Sequence, residues 1–583
     1  MHDFSLFIDS GGQTGSSAAE LSFARILGSA SSRNRSTTAC ILGVTGTDAE
    51  ADAARLAEDY VNHRQDSNLA RRQPAGVVFL DHSAGTVEVL AAPVGLVQVF
   101  WTSANGRLSI ASDPRMLEEP GPHIRPLRLE SLYQYVYFHM LPSPAAIYEG
   151  VEKLDGGHLL HWNGGEAKRS RYWRASFGNE SSGTEPERRR ELLETLQAAV
   201  NRSMGSNGRV GAFLSGGLDS STVAGMAARV QPGIPTISMG FDAAGYDEME
   251  YARIASSHFK TSPLEYYVTP DDVLRTLPAI ITAFTEPFGN SSAAAAYHCA
   301  RIAREHGIDL LLAGDGGDEL FGGNERYAKQ MAFERYRSVP EVLRHSLIEP
   351  AVSLAGRVTR HFPIGKAVSY IEQSNIPLPD RLQTYNFLHR HEPTEVFSPE
   401  LLEQVDTEDP LRLLRAEYAA CDADHSIDRM LFLDWKFTLH DNDLVKVNSM
   451  CKLAGVNVAY PMLDPDVVEF SMRLPAEWKV HDGQLRWFYK RAMQGFLPQQ
   501  IIDKTKHGFG LPFGVWTRTH EGLRRLSEDS LRSLGTRGFF RPGFLRDALR
   551  LHREGHASYY GELVWILMVL ELWLQAHLPN ARL

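Results

Sequence analysis

Short apolar runs broken by glycine fill the first 175 residues: GVVFLD, TVEVLAAPVGLVQVFW, GRLSIAS and GGHLLHWNGG. Apolar runs bounded by turn residues mark strands, and their spacing predicts hairpins and a β-rich first domain over residues 1–175. The polar stretch RASFGNESSGTEPERRRE (174–191) predicts a linker, placed at 176–190, into a second domain over 191–583. There the pattern changes. RVGAFL (209–214), TISMGF (236–241) and DLLLAG (309–314) are strand candidates separated by helical spacing, as expected of a parallel sheet covered on both faces. After about residue 325 helical periodicity prevails to the end. The fold class is α/β, with a helical C-terminal extension.

Between RVGAFL and the helical pattern LDSSTVAGMAARV (218–230) lies LSGGLDSS, rich in small and polar residues. It predicts a strand-to-helix turn. Gly216 and Gly217 permit tight backbone geometry and close approach of a ligand. Ser215, Ser220 and Ser221 set hydroxyls beside the free N–H groups of the helix's first turn, where the dipole favours an anion. That is a phosphate cradle. A glycine turn capped by Asp219 or Ser220 would explain a generic Gly-Gly, but the whole string S-G-G-L-D-S points further. It resembles the pyrophosphate loop of ATP pyrophosphatases, which split ATP between its α and β phosphates. The Walker pattern G-x-x-x-x-G-K-[ST] is absent.

Size and charge narrow the function. At 583 residues the chain suits two domains, and its net charge of -11 comes without a sustained basic tract. A nucleic-acid partner is therefore not expected. Cys40, Cys299, Cys421 and Cys451 lie far apart with no C-x-x-C pair, which suggests neither a zinc site nor a disulfide framework and fits a reducing cytoplasm. The opening MHDFSLFID lacks the basic region of a signal peptide. LVWILMVLELWL (563–574) is too short to span a bilayer and carries Glu571, so it reads as a buried helix; no membrane partner is expected.

The strand DLLLAG runs into DGGDELFGGNERY (315–327), again glycine-rich and acidic. Asp318 and Glu319 would serve as helix caps, but opposite a triphosphate Asp219 and Asp318 would hold Mg2+ from neighbouring strand ends. FLSGGLDSS, EPFGNSSA (286–293), LLAGDGGDELFGG (311–323), DNDLVKVNSM (441–450), YPMLD (460–464) and KTKHGFGLPFGVW (504–516) then follow one another as in the asparagine synthetase family, which the chain resembles over nearly its whole length. GRLSIASDPRML (106–116) and YEGVEKLDGGHLLHWNGG…RYW (148–173) match later strands of that family's glutaminase domain. The resemblance implies an Ntn-hydrolase-like sandwich followed by an adenine-nucleotide α-hydrolase-like parallel-sheet domain.

It also implies roles. Leu214, Ser215, Gly216, Gly217, Asp219, Ser220, Ser221 and Gly314 would bind ATP, with the backbone of Ser238, Met239 and Gly240 at adenine. Asp219 and Asp318 would hold Mg2+, while Glu286, Asn290 and Ser291 would face the substrate. Asp315 stands where asparagine synthetases have an acid and β-lactam synthetase a tyrosine, which tilts against β-lactam formation. The family's lysine, one turn before an arginine, appears here in inverted order as Arg486 and Lys490. Either would stabilise charge on the transferring phosphate, as would Lys446, Lys504 or Lys506.

Three departures matter. The family's glutaminase uses Cys at position 2, but this chain reads Met1-His2-Asp3 and has no cysteine before Cys40, so the first domain is expected to keep the fold without the chemistry. Asn448-Ser449 replaces the family's D-R, and Ala459 stands near the place of an arginine, which argues against aspartate as the acceptor. The expected activity is therefore adenylation of a small-molecule or peptide carboxylate, followed by attack of ammonia or an amine. A peptide macrocyclase or polysaccharide amidotransferase, ammonia-dependent asparagine synthesis, and a non-catalytic scaffold are the rivals; retention of Asp219 and Asp318 ranks the scaffold last. The sequence does not set the oligomeric state, a homodimer among the options.

Overall fold

Alternating side chains build the first half of the molecule. The computed structural model describes residues 3–583 apart from 10–21, 28–29, 35–36, 43–46, 64–75, 118–124, 179–182, 206–207, 244, 359–361, 385 and 506–509. Strands β1 (Ser5–Asp9), β2 (Ser22–Leu27), β3 (Ala30–Asn34), β4 (Thr37–Ile41), β5 (Gly76–Asp81), β6 (Thr86–Ala91), β7 (Val99–Ala104), β8 (Arg107–Ala111), β9 (Glu152–Leu154), β10 (His158–Trp162) and β11 (Ala167–Arg171) form two sheets. Their orders are β2-β1-β8-β7-β9 and β11-β10-β6-β5-β4-β3, paired antiparallel. On β5, Val78 and Leu80 join the core between the sheets with Phe4, Leu108 and Trp162, while Val77 and Phe79 pack on α1 (Thr47–His63). The hairpins match the apolar runs. Helix α1 is an addition to that expectation; Ala53, Leu56 and Ala57 are its buried residues among those described.

The second half is a parallel sheet. β12 (Val210–Phe213), β13 (Pro235–Phe241) and β15 (Leu310–Leu312) fall on the three expected segments, joined by β14 (Ser262–Val268) and β16 (Asn457–Ala459) in the order β14-β13-β12-β15-β16. β14 lies at an edge with Ser262 and Pro263 exposed and only Val268 fully buried, so its sequence SPLEYYV gives no apolar run. The expected linker ends early: α3 (Glu185–Met204) begins inside it, and Thr184 with Glu187 forms a capping box, a signal present in the letters T-E-P-E.

The two halves share a core. Helix α2 (Leu129–Phe138) buries Leu132, Tyr135 and Val136 in the apolar cluster that continues to Leu578, and Tyr135 Oη donates to the Ile566 carbonyl at 2.8 Å. Ile566 sits on α6 (Ala557–His577), which contains the late apolar segment. Glu571 is fully buried there, and its Oε2 accepts from Arg537 Nε at 2.6 Å. Among the described residues, no helix is long and apolar enough to cross a membrane.

Buried charges lock the seam. Lys153, 1% exposed, donates to the Leu141 carbonyl and to Glu286 Oε2 at 2.6 and 2.7 Å, while Ile147 N donates to Glu286 Oε1 at 2.7 Å. Lys153→Met would leave Glu286 buried without its cation, at an expected cost of about 3–5 kcal/mol. Urea unfolding checks this; a midpoint equal to that of the wild type would contradict it.

Candidate active site

The two glycine-rich turns leave neighbouring strands. β12 pairs with β15 in register Val210↔Leu310 to Ala212↔Leu312, so residues 214–219 and 314–318 emerge side by side where the strand order reverses direction. The first turn leads into α4 (Leu218–Val230), with Gly217 as N-cap in place of a side-chain cap from Asp219 or Ser220. Gly216 has φ +71, and a Cβ there would lie 2.4 Å from the Tyr251 carbonyl carbon, so both conformation and space require glycine.

The hydroxyls fold inward on the turn. Ser215 N donates to Ser220 Oγ at 3.2 Å, the two serine Oγ atoms are 3.0 Å apart, and Gly217 N reaches Ser215 Oγ at 3.4 Å. Leu214 is buried, and its carbonyl accepts from Ser238 Oγ at 2.7 Å, which ties the middle of β13 to the turn. Met239 and Gly240 continue β13 beyond that contact. Ser221 is not brought to the mouth: it is fully buried, and its Oγ has no partner among the described residues.

From the second turn, Gly314 packs so closely that a Cβ would lie 2.8 Å from Ser220 N. Gly317 opens the short helix α5 (Gly317–Phe321), and a Cβ there would strike Asp219 Oδ1 at 2.1 Å. The two turns therefore touch through glycine. Glu319 faces inward; burial, with Asp318 adding, pushes its carboxyl well above the usual range.

One guanidinium gathers the acids. Arg486 Nη1 donates to Asp219 Oδ1 at 2.5 Å and Nη2 to Oδ2 at 2.7 Å; Nη2 also reaches Asp318 Oδ1. Arg486 is 5% exposed and has φ +55, a left-handed conformation that costs a non-glycine residue about 1–2 kcal/mol. It follows the hairpin of β17 (Val480–His481) and β18 (Gln484–Leu485), its N donates to the Gly322 carbonyl at 3.2 Å, and it caps a helix, Trp487–Ala492. Burial opposes its charge, but Asp219 and Asp318 hold its pKa well above the ordinary arginine value.

A second charged group lies along the same strand ends. Lys446 Nζ donates to Asp443 Oδ1 at 2.7 Å. Burial works against its charge, but Asp443 and Asp315 leave its pKa raised. Asp315 is half-buried, and burial, opposed by Lys446, pushes its carboxyl up to about 6. Lys490, half-buried, has no ion pair or side-chain hydrogen bond among the described residues; burial and Arg486 lower its pKa. Lys504 pairs with Glu248 at 3.1 Å and stands 4.6 Å over the Tyr251 ring beside Gly216. Lys506 lies outside the described residues, as do Met1 and His2.

The acceptor motif divides. Glu286, expected to face the substrate, instead spends both carboxylate oxygens at the seam, on Lys153 and Ile147. Asn290 Nδ2 donates to Asn442 Oδ1 at 3.1 Å, while its Oδ1 accepts from Ser292 N and Oγ. Half-buried Ser291 lies beside Gly510, where an added Cβ would be 3.8 Å from its hydroxyl. Asn448 bridges Tyr460 Oη, at 2.8 Å, and the Leu96 carbonyl, at 2.5 Å. The sequence reading missed Asp443, although its place three residues before Lys446 puts both on one helical face.

Adjacent parallel strand ends bearing two glycine-rich, acidic turns define a ligand-binding α/β protein. The model of the family described as asparagine synthase matches residues 191–575. The chain belongs to the asparagine synthase family. Asparagine synthetase (glutamine-hydrolyzing) 1 of Bacillus subtilis strain 168 is 24% identical over 529 residues, 90% of this chain and 80% of its own. A putative asparagine synthetase (glutamine-hydrolyzing) of Mycobacterium bovis is 25% identical over 82% of this chain and 73% of its own. A putative second one from Methanocaldococcus jannaschii is 33% identical over 36% and 41%. At the family level the activity is ATP-dependent amidation, the work of a carbon–nitrogen ligase.

Proposed function

We propose that the protein activates a substrate carboxylate with ATP and joins it to ammonia or an amine. The observation that carries this reading is the convergence of Asp219 and Asp318 on Arg486 where two glycine turns meet. ATP would lie in the turn of Leu214, Ser215, Gly216, Gly217, Asp219 and Ser220, with Gly314 beside its phosphates and Ser238, Met239 and Gly240 at adenine. Ser221 supports this turn from beneath.

The donor set suits a hard divalent cation. Two carboxylates already close around one cationic group, and Mg2+ takes one or two carboxylates together with phosphate oxygens. Asp219 and Asp318 would hold it, and when bound it would neutralise charge on the leaving pyrophosphate. Arg486 and Lys490 supply fixed positive charge for the same phosphates. The substrate carboxylate attacks the α-phosphorus, and pyrophosphate leaves. The nitrogen nucleophile then adds to the acyl carbon of the adenylate, loses a proton and expels AMP. The chain's own residues act chiefly by orienting the reactants and excluding water.

The nitrogen comes from solution or from a second substrate. All four cysteines are buried, Cys40 within β4, and burial pushes the Cys421 thiol up to about 11, far from a nucleophilic thiolate. Acid-dependent pyrophosphate release measured with glutamine, with ammonium and with neither tests the reading. Stimulation by glutamine above that by ammonium would overturn the assignment of the nitrogen source.

We assign Asp315, beside Lys446, a catalytic role in which it acts ionised. Because its pKa is raised, it is charged above about pH 6 and loses its charge as the pH falls through that value. The acidic limb of the kcat/KM profile is expected near pH 6 and should vanish in Asp315→Asn. An unchanged limb in that variant would assign the titration elsewhere.

A further inference from the structure

The segment Trp435–Asp443 is a π-helix nine residues long. π-helical turns are rare, usually single, and concentrate at functional sites. This one forms a wall of a cleft of about 1100 Å3, open mouth included, into which Phe437, Thr438 and Asn442 face. Its last residue, Asp443, pairs with Lys446 beside Asp315, so one end of the cleft wall meets the strand-end acids. The 286–292 loop also closes on the cleft. Gly289 N donates to the carbonyl of His139, a cleft residue, at 2.7 Å, and Asn290 donates to Asn442.

The walls are aromatic, and the arginine among them is already paired. Phe138 stacks on Phe437 at 5.3 Å, and Phe387 on His139 at 6.2 Å. Arg326 pairs with Asp434, and His139 lies 3.6 Å from Glu562. A free amino acid such as aspartate brings an ammonium and two carboxylates, while the lining offers them a single arginine that Asp434 already holds. An aromatic group, in contrast, would be buried against the two ring stacks. Half-buried Gln383 sets an amide in the same lining, a contact for an amide or carboxylate oxygen.

We propose that this cleft is the acceptor pocket and takes a carboxylate carrying an aromatic group, of dipeptide size, in preference to a free amino acid. This inference rests on the adenylation reading above. Ligand pockets of this kind combine apolar, aromatic walls with a few placed polar groups.

Calorimetric titration of the full chain, with Mg2+ and a non-hydrolysable ATP analogue present, tests it with three probes: N-acetylglycyl-phenylalanine, N-benzoyl-glycine and aspartate. The two aromatic acids are expected to bind at least about tenfold more tightly than aspartate. Gln383→Trp, which adds bulk to the cleft lining, and Phe437→Ala, which removes a stacking wall, should each weaken the aromatic acids by about tenfold. Binding of the ATP analogue by each variant serves as the folding control. Aspartate binding as tightly as the aromatic acids, or variants that bind them like the wild type, would overturn the cleft assignment. Tight aromatic-acid binding that both variants weaken, without any acid-dependent exchange of pyrophosphate into ATP, would sustain the cleft and sink the adenylation reading.

Discussion

Replacing Asp219 or Asp318 by alanine is expected to cut acid-dependent pyrophosphate release by at least about 10²-fold. In the proposed reaction both carboxylates meet the charge of the triphosphate through one cation. Glu319, the next acid along, is buried, and its carboxyl is pushed well above the usual range, which suits it poorly to replace Asp318 at a cation. Neither aspartate belongs to the apolar core: their side chains are 19% and 23% exposed. The loss should therefore appear in turnover with little change in the far-ultraviolet spectrum. Near-normal pyrophosphate release in either variant would refute the metal assignment.

Arg486→Met should lower turnover by a comparable factor, about 10²–10³-fold, with a signature of its own. Without the guanidinium, Asp219 and Asp318 lose the cation that they share. Breaking a fully buried pair costs about 3–5 kcal/mol, and the partial exposure of these carboxylates reduces the expected loss to roughly 2 kcal/mol. Mg2+ should restore part of it, because the two carboxylates that arginine has released can then bind the ion. Thermal unfolding with and without Mg2+, in the absence of nucleotide, separates the cases. The variant's midpoint should rise with Mg2+ by more than that of the wild type, in which arginine competes for the same oxygens. Equal responses would show that Arg486 does not shield the acids.

Arg486 also marks where sequence reasoning stopped. Its inverted order with Lys490 is visible in the letters, and both were legible as cations near phosphate. Its pairing with two acids, 267 and 168 residues away in the chain, is not legible, because no periodicity reports a contact made by a left-handed residue after a two-strand hairpin. The turns themselves were readable, since glycine and serine between an apolar run and a helical pattern have few other uses. β12, β13 and β15 announced themselves as buried runs, whereas β14 hid at the sheet edge and β16 has three residues.

Other misses share a cause. Glu286 stands in a motif read as substrate-facing, but its partners Lys153 and Ile147 belong to the other half of the chain, so only tertiary packing could reveal them. Ser221 has the right letter in the right string, yet the rotation of α4 turns its hydroxyl inward. The π-helix over Trp435–Asp443 has no pattern distinct from an α-helix at that length, although it lines the cleft and ends beside Asp315.

Exchange of labelled pyrophosphate into ATP is the most direct measurement of the central claim. With Mg2+ and a cognate carboxylate but no amine, the label should enter ATP, and addition of the amine should yield AMP with the amide. Formation of ADP and inorganic phosphate, with no exchange for any acid that drives ATP consumption, would contradict it.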